Sequence, residues 1–69
     1  MRGYRKERIL EARLDLGLTQ KQMASRIGVS EHTVANWEAG RTAHIRLLNL
    51  AALARLSGKP IGWFTKEAP

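Results

Sequence analysis

The stretch GLTQKQMASRIGVSEHTVANWEAGR, Gly17 to Arg41, decides how this chain folds. It reads as two short helices joined by the tight turn Gly28-Val29-Ser30. Thr19 can cap the free amides of the first, and Gln22, three residues on, completes a capping box. Met23, Ala24 and Ile27 recur at helical spacing and form its inner face. Gly28 ends it, because a residue without a Cβ reaches positive φ without a clash. Ser30 is again an N-cap type, and Gly40 stands where glycine is favoured after a helix. Ala24 is small, so the second helix can cross close by at a steep angle. Met23, Ile27, Val29, Val34 and Trp37 then converge on one small core.

Outward from this pair, three more helices are predicted. One runs from about Arg5 to Leu16. There Ile9, Ala12 and Leu16, with the pair Leu10 and Leu14, recur at helical spacing. Gly17 supplies a left-handed stop. The fourth helix covers roughly His44 to Leu56. At about 100° per residue, Ile45, Leu48, Ala52 and Leu56 fall on one side and Leu47, Leu50 and Ala54 on the other. A helix apolar on two faces must be covered twice. Either helices one and five take one face each, or one stripe is a dimer interface. Pro60 suits the first turn of a short fifth helix that ends near Thr65, with Trp63 and Phe64 closing the core. The tail from Thr65 onward reads as frayed. No strand-like alternation, hairpin signal, repeat or low-complexity linker appears. The expectation is all-α: one compact five-helix domain over residues 1–69, with an ordered core at about 5–65 and the helix pair at 20–38.

Sixty-nine residues allow one domain with a small core. The chain has no cysteine, which excludes disulfides and thiolate metal sites and fits a cytosolic protein. No apolar run approaches the roughly 20 residues that span a bilayer, and no signal-peptide core opens the chain. Lys and Arg number 12 against 6 Asp and Glu, a formal net charge of +6. Such an excess points to a polyanion partner, or else to a generically basic, solvated surface. The cations avoid the most motif-like segment. Residues 28–40 hold no Lys or Arg, but two acids, Glu31 and Glu38.

Two helices joined this way leave the outer face of the second free to enter a DNA major groove. At this point the residues resemble the lambda Cro/repressor-type helix-turn-helix domain, also called the xenobiotic-response-element type. The likeness lies in the Gly17-Leu18-Thr19-Gln20 opening, Ala24, the Gly28-Val29-Ser30 turn and the Trp37-Glu38-Ala39-Gly40-Arg41 ending. It extends upstream to Ile9 and Arg13 and downstream through LARLSGKPIGWF, residues 53–64. The resemblance implies a five-helix domain that binds operator DNA and represses or activates transcription, in bacteria or encoded by their phages and plasmids, at the cytoplasmic nucleoid. It implies that Gln20 touches a phosphate and that Arg41 faces the DNA backbone. It places Glu31, His32, Thr33 and Asn36 at the outward positions of a recognition helix, residues 31–39. It also implies that Arg13 pairs with Glu38, tying helix one to the recognition helix and aiming Arg13 at the DNA backbone. This chain departs from the pattern after Gly40, where the frequent proline is missing and the loop is expected to be a residue longer. Leu56-Ser57 and Gly62 depart as well.

Residue chemistry agrees with these roles. A helix N-terminus presents free amides and a positive dipole, which suit a phosphate at Gln20. Lys21, Ser30 and Arg46 join Gln20, Arg13 and Arg41 as the expected phosphate set. Asn36 can pair with adenine N6 and N7, His32 can donate to guanine N7 or O6, and Thr33 can meet a base, a thymine methyl or a phosphate. Glu31 can accept from cytosine N4, or be only a favourable charge at a helix start. The alternative for each is a plain solvent-facing residue, and the base-facing role is the one expected. Arg2, Arg5 and Lys6 form an N-terminal basic arm that either reaches a groove or is a solvated start. Arg55, Lys59 and Lys66 read as solubilising charge.

An enzyme is not expected. Ser30, Glu31 and His32 are adjacent on one turn and cannot line up as nucleophile, base and orienter. His32 and His44 alone make no metal site, and no Gly-rich phosphate loop precedes a helix. Neither cofactor nor metal is therefore expected. The expected partner is double-stranded operator DNA, with a homodimer through helices four and five and no membrane association. Two rivals remain: a protein-interaction module of coactivator or antitoxin type, and the DNA-binding part of a longer repressor, since nothing marks Pro69 as a natural end.

Overall fold

The structure, a computed structural model, describes residues 3–66. Its elements are α1 (Lys6–Asp15), α2 (Gln20–Ile27), α3 (Glu31–Ala39), α4 (Leu47–Ser57) and α5 (Ile61–Phe64). The all-α, five-helix expectation holds. The first three helices begin and end within a residue of their predicted limits, for the local reasons given. Gln22 donates its N–H to Thr19 Oγ1 at 3.0 Å while Thr19 N–H donates to Gln22 Oε1 at 2.9 Å. Gly28 sits at φ 92, and its N–H and that of Val29 both donate to Ala24 O, at 2.8 and 3.0 Å.

Each helix buries one large side chain completely: Ile9, Met23, Val34, Leu53 and Phe64. Burial of a side chain this size contributes about 1.5–3 kcal/mol. α2 packs on α3, α1 braces α3, and α4 packs against α2 and α5. Of the leucines in the predicted α1 stripe, Leu10, Leu14 and Leu16 are exposed, so Ile9 and Ala12 alone carry that face into the core.

The fourth helix differs from its prediction. It starts at Leu47, with Arg46 as extended N-cap, and not at His44. Ile45 is buried from the extended segment before the helix. Counting helical phase from His44 therefore drew Ile45 into a stripe with Leu48, which is 78% exposed, as Leu47 is at 70%. The true inner face carries Leu50 and Leu53. The covering helices are α2 and α5, where the sequence reading had one and five.

The ends differ too. Pro60 is the N-cap of α5 and does not lie in its first turn. Thr65 is not frayed: it is buried and bridges Tyr4. Arg5 N–H donates to Phe64 O at 2.7 Å and Lys66 N–H donates to Gly3 O at 3.0 Å, so the two ends clasp. The remainder of the predicted frayed tail, residues 67–69, lies outside the described residues. Tyr4, which periodicity did not single out, joins the core and donates its hydroxyl to Trp37 O at 2.7 Å.

Burial pushes the Tyr4 phenol above its ordinary value of 10.0, and a backbone hydrogen bond with Thr42 draws it part of the way back. A raised folded-state pKa means that the stability Tyr4 adds is fully present below about pH 10 and is lost as pH rises through the folded value. Melting temperatures of the wild type should fall more steeply than those of Tyr4→Phe above about pH 10. At neutral pH, Tyr4→Phe should melt about 4–8 °C lower, for the loss of one hydrogen bond contributing about 1 kcal/mol. Parallel pH profiles for the two proteins would show that Tyr4 is not the group responsible.

Candidate nucleic-acid interface

α3 is held on one face and open on the other. Val34 and Trp37 are buried, while Glu31 and His32 are exposed and Thr33 and Asn36 half-buried. Its N-terminus is capped by Ser30, whose Oγ accepts from Thr33 N–H at 3.1 Å and lies 2.8 Å from Thr33 Oγ1. The Ser30 hydroxyl is thus first a cap, and it holds the Thr33 hydroxyl. Thr33 and Asn36 also form one wall of a shallow cleft of about 360 Å³, whose other side carries Thr42, His44, Arg46 and Asn49. The segment between α3 and α4 is therefore part of the same surface.

The far end of α3 is held by charge. Arg13 Nε donates to Glu38 Oε2 at 2.7 Å and Arg13 Nη2 to Glu38 Oε1 at 3.1 Å, a two-point pair whose side chains are 15% and 8% exposed. Arg13 Nη1 donates to Leu18 O at 3.0 Å, and Gln20 Nε2 donates to Glu38 Oε1 at 3.0 Å. The expected pair forms, and it draws the Gln20 side chain inward with it. α2 still offers the amides of Gln20 and Lys21, because the first amides of a helix lack internal partners and the capping box takes only that of Gln22. The Lys21 side chain is exposed beside them.

The basic arm is not free where it is described. Arg2 lies outside the described residues. Arg5 is pinned through its backbone and donates Nε to Thr65 O at 3.3 Å. Lys6 lies across the C-terminus of α3: its Cδ is 3.0 Å from where a Cβ on Gly40 would stand. A cation suits that end of a helix dipole. Gly40 itself is at φ 74, Arg41 N–H donates to Asn36 O at 3.0 Å, and Arg41 Nη1 donates to Asn36 Oδ1 at 3.3 Å. Arg46, the N-cap of α4, is exposed on the rim of the cleft.

Sequence reasoning missed Ala35. It is half-buried, three residues from His32 and adjacent to Asn36, and a small apolar side chain there suits a thymine methyl. Its i+3 and i+4 spacing from His32 and Glu31 was the available signal. Thr42 and Asn49 joined the surface with no such signal. Among the described residues, no three of His, Cys, Asp and Glu gather where a metal could sit, and no helix is long and apolar enough to cross a membrane.

Known proteins carry the same architecture. A family model described as helix-turn-helix matches residues 9–64. The P22 c2 repressor, solved in complex with a synthetic operator, matches with a TM-score of 0.77 and 28% identity, over 84% of this chain and 86% of that one. The CoII form of HppE, in complex with its substrate, matches with a TM-score of 0.78 and 30% identity, over 93% of this chain but only 35% of that one. The chain thus spans about a third of HppE and nearly the whole of the repressor chain. No curated protein matches.

Proposed function

The chain belongs to the Cro/repressor-type helix-turn-helix family of DNA-binding transcription regulators, and from that membership and the open outer face of α3 we propose that it binds a specific double-stranded operator as a repressor or Cro-like regulator. α3 enters the major groove with Glu31, His32, Thr33 and Asn36 toward the bases and Ala35 among them. The amides of Gln20 and Lys21, with Ser30, Arg41, Arg46 and Lys6, take the phosphates, while the three guanidinium nitrogens of Arg13 donate within the fold. Phosphate contacts supply affinity and register while base contacts supply specificity. That division accounts for the absence of Lys and Arg from residues 28–40.

The observation that carries this reading is how α3 is held. Its inner face is buried, a cap holds its start, and the Arg13–Glu38 pair and the Tyr4 bond hold its end. A reading surface held in this way meets a duplex with a smaller ordering cost than a free helix would. The exposed pair Leu47 and Leu48 favours a homodimer through α4 and α5. The operator is then near-palindromic, with half-sites about 34–36 Å apart. An operator ligand supports a cytoplasmic location. No catalysis is proposed: the Ser30 hydroxyl is committed as a cap, and His32 faces solvent.

Selection of binding sites from random duplexes tests the reading. A symmetric motif is expected to emerge. Asn36→Ala should weaken binding to it by about 1–3 kcal/mol and flatten one position in each half-site. Failure to enrich any motif would overturn the operator reading. Equal losses on specific and random DNA would remove Asn36 from the reading set.

A further inference from the structure

The side chain of Asn36 carries one acceptor and one donor group, and adenine reading uses both. In this structure one of the two lone pairs of the acceptor is already engaged. Arg41 Nη1 donates to Asn36 Oδ1 at 3.3 Å, and Arg41 N–H donates to the Asn36 main-chain oxygen at 3.0 Å. The left-handed turn at Gly40, φ 74, brings the chain back to make both bonds. Arg41 is therefore attached to Asn36 twice. The neighbouring acid cannot draw it away, because Glu38 is committed to Arg13 and Gln20.

Two consequences follow for the base that Asn36 meets. A guanidinium on Oδ1 polarises the amide, so Nδ2–H becomes the stronger donor and Oδ1 the weaker acceptor. Adenine presents a donor, N6–H, which would approach Oδ1 beside the positive charge of Arg41. Guanine presents two acceptors, N7 and O6, at the same edge. The guanidinium has further N–H groups beyond the one on Asn36.

We propose that Asn36 and Arg41 act as one donor unit that selects guanine over adenine at the base Asn36 faces, with Arg41 a specificity-determining positioning residue as well as a backbone contact. The inference rests on the reading of α3 as the base-facing helix. It reverses the adenine preference that an asparagine alone suggests.

The test is titration of four duplexes, differing only at that position of the selected motif, with wild type, Asn36→Ala, Arg41→Ala and Arg41→Lys at one salt concentration. Wild type should prefer guanine to adenine by about 5- to 150-fold. Arg41→Ala should bind all four more weakly and also lose most of that ratio. Arg41→Lys, which keeps the charge without the planar fork, should retain more affinity but not the ratio. Adenine preferred by the wild type, or an Arg41→Ala loss equal on all four duplexes, would overturn the proposal. If Asn36→Ala flattens the position while Arg41→Ala acts uniformly, α3 still reads bases and only the coupling fails. If Asn36→Ala leaves the base profile unchanged, the underlying reading fails with it. Arg41 is exposed and Asn36 half-buried, and a thermal melt of each variant verifies that it is folded.

Discussion

Glu38→Ala should lower the melting temperature by about 12–24 °C and weaken operator binding at the same time. The carboxylate serves three donors: Arg13 Nε, Arg13 Nη2 and Gln20 Nε2. Its removal leaves a guanidinium that is 15% exposed without its counter-charge. Removing one partner of a buried pair costs about 3–5 kcal/mol. The lower end applies because both side chains keep some contact with water. A loss of about 3 kcal/mol in a domain of this size shifts the melt by the stated range. The effect on DNA follows from geometry. The carboxylate ties α3 to α1 and to the first residue of α2, so the base-facing and phosphate-facing elements lose their common anchor. The Arg13→Ala, Glu38→Ala double variant should be less destabilised than the sum of the singles, since no uncompensated charge remains. Additive losses in thermal melts would show that the pair contributes nothing as a pair.

Operator affinity should fall about 10²-fold per protomer between 50 and 200 mM salt. Lys6, Lys21, Arg41 and Arg46 surround α3, and about 4 phosphates neutralised give a log–log slope near −3.6. Two protomers on a palindromic site double the slope, and the same salt step then costs about 10⁴-fold. The slope therefore reports both the nature of the ligand and the stoichiometry. A partner protein held against Leu47 and Leu48 by apolar contact would bind with little salt dependence. A slope near zero, measured by titration at constant pH, would favour the protein-interaction reading over the operator.

The reading of helices two and three from the sequence succeeded because their limits are set locally, while helix one, which has no side-chain cap, was bounded by its apolar period and by Gly17 at φ 68. The Thr19–Gln22 box, the Ser30 cap and the glycines at 28 and 40 act within three or four residues. Helix four was misread for the opposite reason. It has no side-chain cap, and Arg46 at its start carries no cap signal. Ile45 was then counted as a helical residue, although it is buried from the extended chain before the helix and its burial carries no helical phase.

By itself, the sequence determined the five-helix architecture, the turn between α2 and α3 and which side chains of α3 face outward, since capping, glycine stops and helical period are short-range properties of the chain. Tertiary structure alone decided which polar groups remain available to a ligand. Gln20, expected on a phosphate, turns its side chain inward because Glu38 lies 18 residues away along the chain. The basic start is pinned because Arg5 meets Thr65, 60 residues on. A donor can face a phosphate only if no nearer acceptor holds it, and where that acceptor lies is settled by packing over the whole domain.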